Sequence, residues 1–459
     1  MGPLRLTSKF LYPALFTLFR RGLLPQSIHI VGAGPDPLTH EEYLQQATSE
    51  IKDHGEDFEK YKAILSYRNV TYTDGATFVP LGQYLKEIES GCTTGCNRVY
   101  YLSIAFDYFV GVSEHLKQHV YSDEATNRLV VEKPIGSDLE SALEIVEKIA
   151  EIGWTEEETF RIDHYLGQEI VKNLLVLRFA NSSISRLWDS DSISNVQITL
   201  NESFDVAGRG DTFDKFGMIR DVIQNHLCQV LSVLTMERPV NLSPSDIIDE
   251  KVKLLRSIPP IEREDVLLGQ YIGYLDEDNV PNDSTTATYA ATVLWINNPR
   301  WENVPFILKA GKALNEDNVE IRMQFKDGPK DFYDTDPPRS ELIMQLEPGK
   351  GIYMKLNIKT PGFDMDVTTT ELKLNYEDTF SKVFIPSPYE ALLRDVVKGD
   401  HSTFVRDDEL AAAWKIFTPI LHWTDGTGGE EKPIPIKYER GSRGPAGLDE
   451  FLAKYGYKP

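Results

Sequence analysis

Two short runs of this 459-residue sequence concentrate side chains that could do chemistry. The first is Arg161-Ile-Asp-His-Tyr-Leu-Gly-Gln-Glu169, where Asp163, His164 and Tyr165 stand in a row after a strand-like stretch. A strand end that opens into a helix is where α/β sheets place ligand contacts. His164 and Gln168 are four residues apart, which predicts a shared helix face. An imidazole beside a carboxylate can exchange a proton near neutral pH. One such pair serves structure as readily as function.

The second run is Arg220-Asp221-Val-Ile-Gln224-Asn225-His226, inside a stretch, Phe213 to Met236, that reads as one long helix. Its five polar side chains interrupt what should be a buried surface. Burying a polar group without a partner costs about 1–3 kcal/mol. The concentration therefore points to a polar cleft, with a solvated helix face as the alternative.

These runs need elements to hold them. In the first third, Ser27 to Val31, Val70 to Tyr72, Arg98 to Ile104 and Leu129 to Val131 read as strands. His40 to Lys52, Gly111 to Val120 and Leu139 to Ile152 read as helices, the last capped by Asp138. This rhythm predicts a Rossmann-like α/β domain with a parallel sheet covered on both faces. Near Asp163 the grain changes. Tyr289 to Ile296, Phe306 to Lys309, Val319 to Phe325, Leu342 to Leu346 and Ile352 to Ile358 follow one another without helices between them. That predicts an α+β domain with a large, mostly antiparallel sheet. Tyr389 to Val397 and Glu409 to His422 read as helices. The expected division is 1–163 and 164–459.

Composition removes several classes of function. A net charge of -23 argues against nucleic acid, although a local basic cluster could still hold a small anion. Arg5 and Lys9 precede an apolar run from Phe10 to Phe19, but no small-x-small cleavage site follows. Its helical spacing and Gly22 predict a buried amphipathic helix. No apolar run reaches the ~20 residues that span a bilayer, so no membrane segment is expected and the cytoplasm is the default. Cys92, Cys96 and Cys228 lack metal-ligand spacing and are expected to be reduced thiols, with no metal site.

Three further blocks stand with the two runs: Glu132-Lys133-Pro134-Ile135-Gly136, Val304 to Leu314 as VPFILKAGKAL, and Gly441-Ser-Arg-Gly-Pro445. Together with RIDHYLG and RDVIQNH, in this order and across nearly the whole chain, they resemble the glucose-6-phosphate dehydrogenase family. The resemblance implies oxidation of the C1 hydroxyl of glucose 6-phosphate to a lactone, the first oxidative step of the pentose phosphate pathway, with hydride passing to NADP. It makes His226 the general base and Asp163 the carboxylate that orients it. It places Lys133 between sugar and nicotinamide, His164 and Tyr165 on the phosphate, Glu202 and Asp221 on sugar hydroxyls, and Lys312 as a further substrate lysine. Residues 1–163 become a dinucleotide-binding domain and 164–459 a substrate-binding and dimerisation domain, in a homodimer or homotetramer.

The departures from the family are as specific as the matches. Gln168 replaces the lysine of the phosphate motif; it stays a candidate substrate ligand, but a neutral hydrogen bond is about half as strong as a charge-assisted one. Met1 to Thr7, MGPLRLT, falls over the family's first strand and glycine-rich turn, so the first strand is expected to be missing. Gly32-Ala33-Gly34 imitates that turn, but Pro35 and Pro37 break the strand–turn–helix geometry. Pro35 also takes the place of the arginine that grips the 2′-phosphate of NADP, and Ala105-Phe106 stand for a Pro-Pro pair. Arg322, Tyr353 and Lys355 match part of the second NADP site of some eukaryotic members, where Gln345 replaces an arginine. Three readings follow: an active dehydrogenase, a non-catalytic sugar-phosphate-binding paralogue or subunit partner, and an enzyme using NAD or another hexose phosphate.

Overall fold

The first apolar stretch folds as the sequence predicts. A π-helical turn, Thr7–Leu11, runs into the helix Tyr12–Arg20, and Gly22 stops it at φ 65°. Tyr12 and Phe16 pack with Tyr43, Ala47, Tyr61 and Leu65. The computed structural model describes residues 7–91, 96–206, 208–328 and 337–459. The chain divides into two units: Met1–Gly167 with Asn241–Ile248 and Pro386–Leu410, and Gln168–Val240 with Asp249–Ile385 and Ala411–Pro459.

Unit one is Rossmann-like, and its parallel strands form two sheets. Strands β1 (Ile30–Gly34) and β2 (Leu65–Asn69) pair in one, and β3 (Arg98–Leu102), β4 (Asn127–Val131) and β5 (Thr159–Arg161) in the other. No strand runs from Val70 to Tyr72, which corrects that expectation: β2 ends at Asn69. Val70 is a buried core residue at the strand's exit, where its N–H bonds the carbonyl of Gly34. Between β1 and β3 lies a cavity of about 870 Å³, lined by Val31 and Ala33 from one sheet and Tyr100 and Leu102 from the other. Among the described residues no strand fills it. Asp138 caps the helix Leu139–Glu151, its carboxylate accepting the Ser141 N–H at 2.9 Å. Cys96 is disulfide-bonded, which corrects the expectation of three reduced thiols; Cys228 is free and buried, and Cys92 lies outside the described residues.

Unit two is built on a nine-stranded sheet. Its strands are β6 (Ile193–Asn201), β7 (Val266–Tyr271), β8 (Tyr289–Trp295), β9 (Pro305–Gly311), β10 (Asn318–Phe325), β11 (Glu341–Glu347), β12 (Gly351–Lys359), β13 (Val367–Asn375) and β14 (Ile436–Tyr438). They lie in the order β13-β12-β11-β10-β6-β9-β8-β7-β14. Neighbours are antiparallel except β6 with β9 and β7 with β14.

The single long helix expected from Phe213 to Met236 is not continuous. The helix Gly210–Met218 breaks at Gly217, with φ 66° and ψ 173°; a π-helical segment, Ile219–Leu227, follows, then the helix Cys228–Thr235. Beyond the break the Met218 N–H leaves the helical ladder and bonds Ala287 O at 3.0 Å. Only glycine adopts this backbone cheaply. Gly217→Ala is therefore expected to destabilise the protein by more than about 1 kcal/mol, read as a lower urea midpoint with an unchanged slope.

Candidate active site

In unit two the sheet itself assembles a polar cluster. Parallel pairing sets Asn201 of β6 against Gly311 of β9, so the next residues, Glu202 and Lys312, emerge side by side at the C-terminal ends of two strands. The Glu202 N–H bonds Gly311 O at 2.9 Å and secures that exit. Lys312 is fully buried. Its ammonium pairs with Glu202 and lies 3.8 Å from an Asp221 oxygen. The rings of Phe204 and Phe213 flank it at 5.3 and 5.5 Å. Glu202 and Asp221 both keep part of their surface open to solvent, so they can meet a ligand.

Asp221 comes from the π-helical segment, which packs against β6 and β9. The same segment buries Arg220, Gln224 and His226, so it is not a solvated face. Asn225 ties it together: its side chain donates to Arg220 O at 2.9 Å and accepts the His226 N–H at 2.8 Å. Arg220 is braced by a bidentate pair with Asp425. π-helical turns recur at functional sites, and here one presents Asp221 and His226 from a single stretch.

Gln168 does not share a helix face with His164, which corrects that expectation. His164–Gly167 is a 3-10 turn, and Gln168 is the extended residue (ψ 133°) before the helix Glu169–Phe179. The Gln168 side chain is buried and donates to Glu347 Oε1 at 2.8 Å.

In unit one a second cluster sits at the ends of β4 and β5. Asp163 is buried two residues beyond β5, and its carboxylate accepts the Tyr165 N–H at 3.0 Å, an Asx-type turn that opens the 3-10 segment. Tyr165 is buried as well. The His164 ring stacks on Tyr389, centroids 5.7 Å apart and planes 16° apart. Tyr389 belongs to the helix Pro388–Lys398, whose first turn closes on Gly167: a Cβ there would stand 2.6 Å from Pro388 O. Lys133 stands two residues beyond β4, half-buried, with a cis bond to Pro134. Its neighbour Glu132 is buried and accepts the Tyr101 hydroxyl at 2.5 Å. Burial pushes the Glu132 carboxyl above its ordinary pKa, against the hydrogen bond from Tyr101 and the charge of Lys133.

The residues around β1 do not fit the pyrophosphate of a dinucleotide. A Cβ on Gly32 would stand 2.5 Å from the Tyr43 ring, so this glycine serves core packing and not a ligand. The Gly34 carbonyl is taken by Tyr67 and Asn69 side chains. No helix starts at Pro35; the next, His40–Thr48, begins at its own Thr39 capping box. The family's glycine turn would fall over Met1 to Thr7, of which all but Thr7 lie outside the described residues. On the large sheet, Arg322 is bound by Glu320 and Glu341, Lys355 lies 3.4 Å from Glu341, and Gln345 bonds Asn318.

Comparison with known proteins now decides the family. Residues 4–173 match the NAD binding domain of glucose-6-phosphate dehydrogenase and residues 175–458 its C-terminal domain. A glucose-6-phosphate 1-dehydrogenase of Emericella nidulans is 46% identical, covering 99% of this chain and 90% of that protein. A cytoplasmic form from Arabidopsis thaliana is 45% identical, covering 98% and 89%. A solved glucose-6-phosphate dehydrogenase in complex with its substrate superposes with a TM-score of 0.93 at 41% identity, covering 99% of this chain and 96% of that one. The chain belongs to the glucose-6-phosphate dehydrogenase family. It is an oxidoreductase, and its N-terminal domain is of the type that uses a nicotinamide dinucleotide.

Within this member of the glucose-6-phosphate dehydrogenase family, sequence reasoning missed Tyr389, Glu347 and Asp425 as neighbours of the named residues. Each is remote in sequence from what it touches, and an isolated side chain on a distant element carries no local signal. The burial of Lys312 yields a direct test. Lys312→Met leaves two carboxylates without their cation and is expected to cost up to about 3 kcal/mol of unfolding free energy, measured by urea denaturation.

Proposed function

We propose that the chain oxidises the C1 hydroxyl of glucose 6-phosphate to 6-phosphogluconolactone, with NADP as acceptor, at the entry to the pentose phosphate pathway. The observation that carries this reading is the cluster at the ends of β6 and β9, where Glu202 and Asp221 face a wholly buried Lys312. Two half-exposed carboxylates fixed by one cation suit the hydroxyls of a sugar, which need rigid acceptors to hold the ring in one orientation.

The C1 hydroxyl must lose its proton as the carbon is oxidised, and His226 is the base we assign to it. An imidazole is chemically suited to accept that proton. Asp163 is its orienting carboxylate, which favours the imidazolium once formed. His164 and Tyr165 hold the phosphate, and Lys133 lies between sugar and nicotinamide. Gln168 adds a neutral donor where a cation would bind phosphate more strongly. The partner is a second copy of the chain, in a homodimer or homotetramer, and the location is cytoplasmic; among the described residues no helix is long and apolar enough to cross a membrane.

A second reading, a sugar-phosphate-binding paralogue without turnover, is favoured by two observations. The Gln168 amide is already bonded to Glu347, and Gly32 is closed off by Tyr43. Calorimetric titration with glucose 6-phosphate, NADP and NAD separates the two: sugar phosphate binding alone supports the paralogue. For the enzyme, His226→Asn is expected to lower kcat by about 10²–10⁴-fold, with KM for glucose 6-phosphate changed only slightly. A kcat near the parent value would remove His226 as the base.

A further inference from the structure

We propose that Tyr389 is a positioning residue for His164, its ring serving as the platform that fixes the imidazole plane facing the sugar phosphate. The inference rests on the reading of His164 as a phosphate ligand. An exposed histidine ring turns freely about two bonds, and a ligand must then be bound at the cost of that freedom. Here the ring lies nearly parallel to Tyr389, at 5.7 Å and 16°. Tyr389 in turn lies nearly parallel to Phe10, at 5.5 Å and 18°.

The platform is held at its backbone. At the backbone, Ser387 and Glu390 close a capping box on the helix Pro388–Lys398, with the Ser387 N–H bonded to Glu390 at 2.8 Å. Gly167, in the same 3-10 turn as His164, meets the backbone of Pro388 so closely that a Cβ would lie 2.6 Å from its carbonyl oxygen. At the side-chain tip, burial and then the charge of Glu132 push the pKa of the Tyr389 hydroxyl up. Glu132 is buried, accepts the Tyr101 hydroxyl, and precedes Lys133 in the chain.

The test is a double-mutant cycle on steady-state kinetics. Tyr389→Leu is expected to raise KM for glucose 6-phosphate about three- to tenfold, the worth of an aromatic pair, with kcat near the parent value. Tyr389→Phe keeps the ring and is expected to recover most of that loss. In a His164→Asn background, Tyr389→Leu should add less than about twofold, because the two act as one unit. An unchanged KM in Tyr389→Leu, or the same penalty in the His164→Asn background, overturns the positioning role. A parent-like KM for His164→Asn alone overturns instead the assignment of His164 to the phosphate.

Discussion

A fully buried ammonium cannot stand alone, and much of unit two follows from supplying Lys312 with counter-charge. Desolvating an ion costs several kcal/mol, which an opposite charge offsets only if geometry is good. Glu202 meets the requirement because parallel pairing of β6 with β9 brings both residues out of adjacent strands at one level. Asp221 meets it because the chain breaks at Gly217 and restarts as a π-helical segment packed on the same two strands. A regular α-helix through Gly217 would rotate every later residue and turn Asp221 and His226 elsewhere. The backbone irregularity and the charge cluster are therefore one feature.

This explains what could be read from the sequence and what could not. Strands such as β8 and β9 were legible because both their faces are buried, which leaves a nearly continuous apolar run. β13, VTTTELKLN, was missed because most of its residues are exposed and it carries no apolar run to betray it. The polar side chains of Arg220 to His226 were legible as a site, since five of them in a stretch otherwise suited to burial demand a reason. The break before them was not, because one glycine inside a helical pattern is ordinarily tolerated. The position of Gln168 was misread for a related cause: four-residue spacing implies a common face only if the helix is continuous, and the close approach of Gly167 to Pro388 ends one turn before the next begins.

The same logic applies to the aromatic and acidic residues of unit one. Tyr101, Glu132 and Tyr389 lie on three elements far apart in sequence, and each looks like an ordinary core or surface residue by itself. Together they bury a carboxylate that accepts the Tyr101 hydroxyl. A buried carboxylate with no donor would be costly, so Tyr101 makes the position of Glu132, and with it the start of the Lys133 segment, a fixed point of the unit.

Among the described residues no strand pairing joins the two sheets of unit one across the gap between β1 and β3. Their facing edges lack a strand partner among the described residues, yet both sheets contribute to a single apolar cluster. Val70 stands just past β2 in that cluster, and Tyr100, Leu102, Leu129 and Val131 come from β3 and β4. Phe78 and Leu81 of one helix and Phe109, Val112 and Leu116 of another pack against them. Apolar burial contributes about 25 cal/mol per Å², whereas a hydrogen bond exchanged with water nets only about 1 kcal/mol. Helices clamped over the strands thus keep both sheets in one core, although no strand among the described residues pairs them. It also explains why the α/β rhythm stayed readable: the helix and strand patterns record burial against each other.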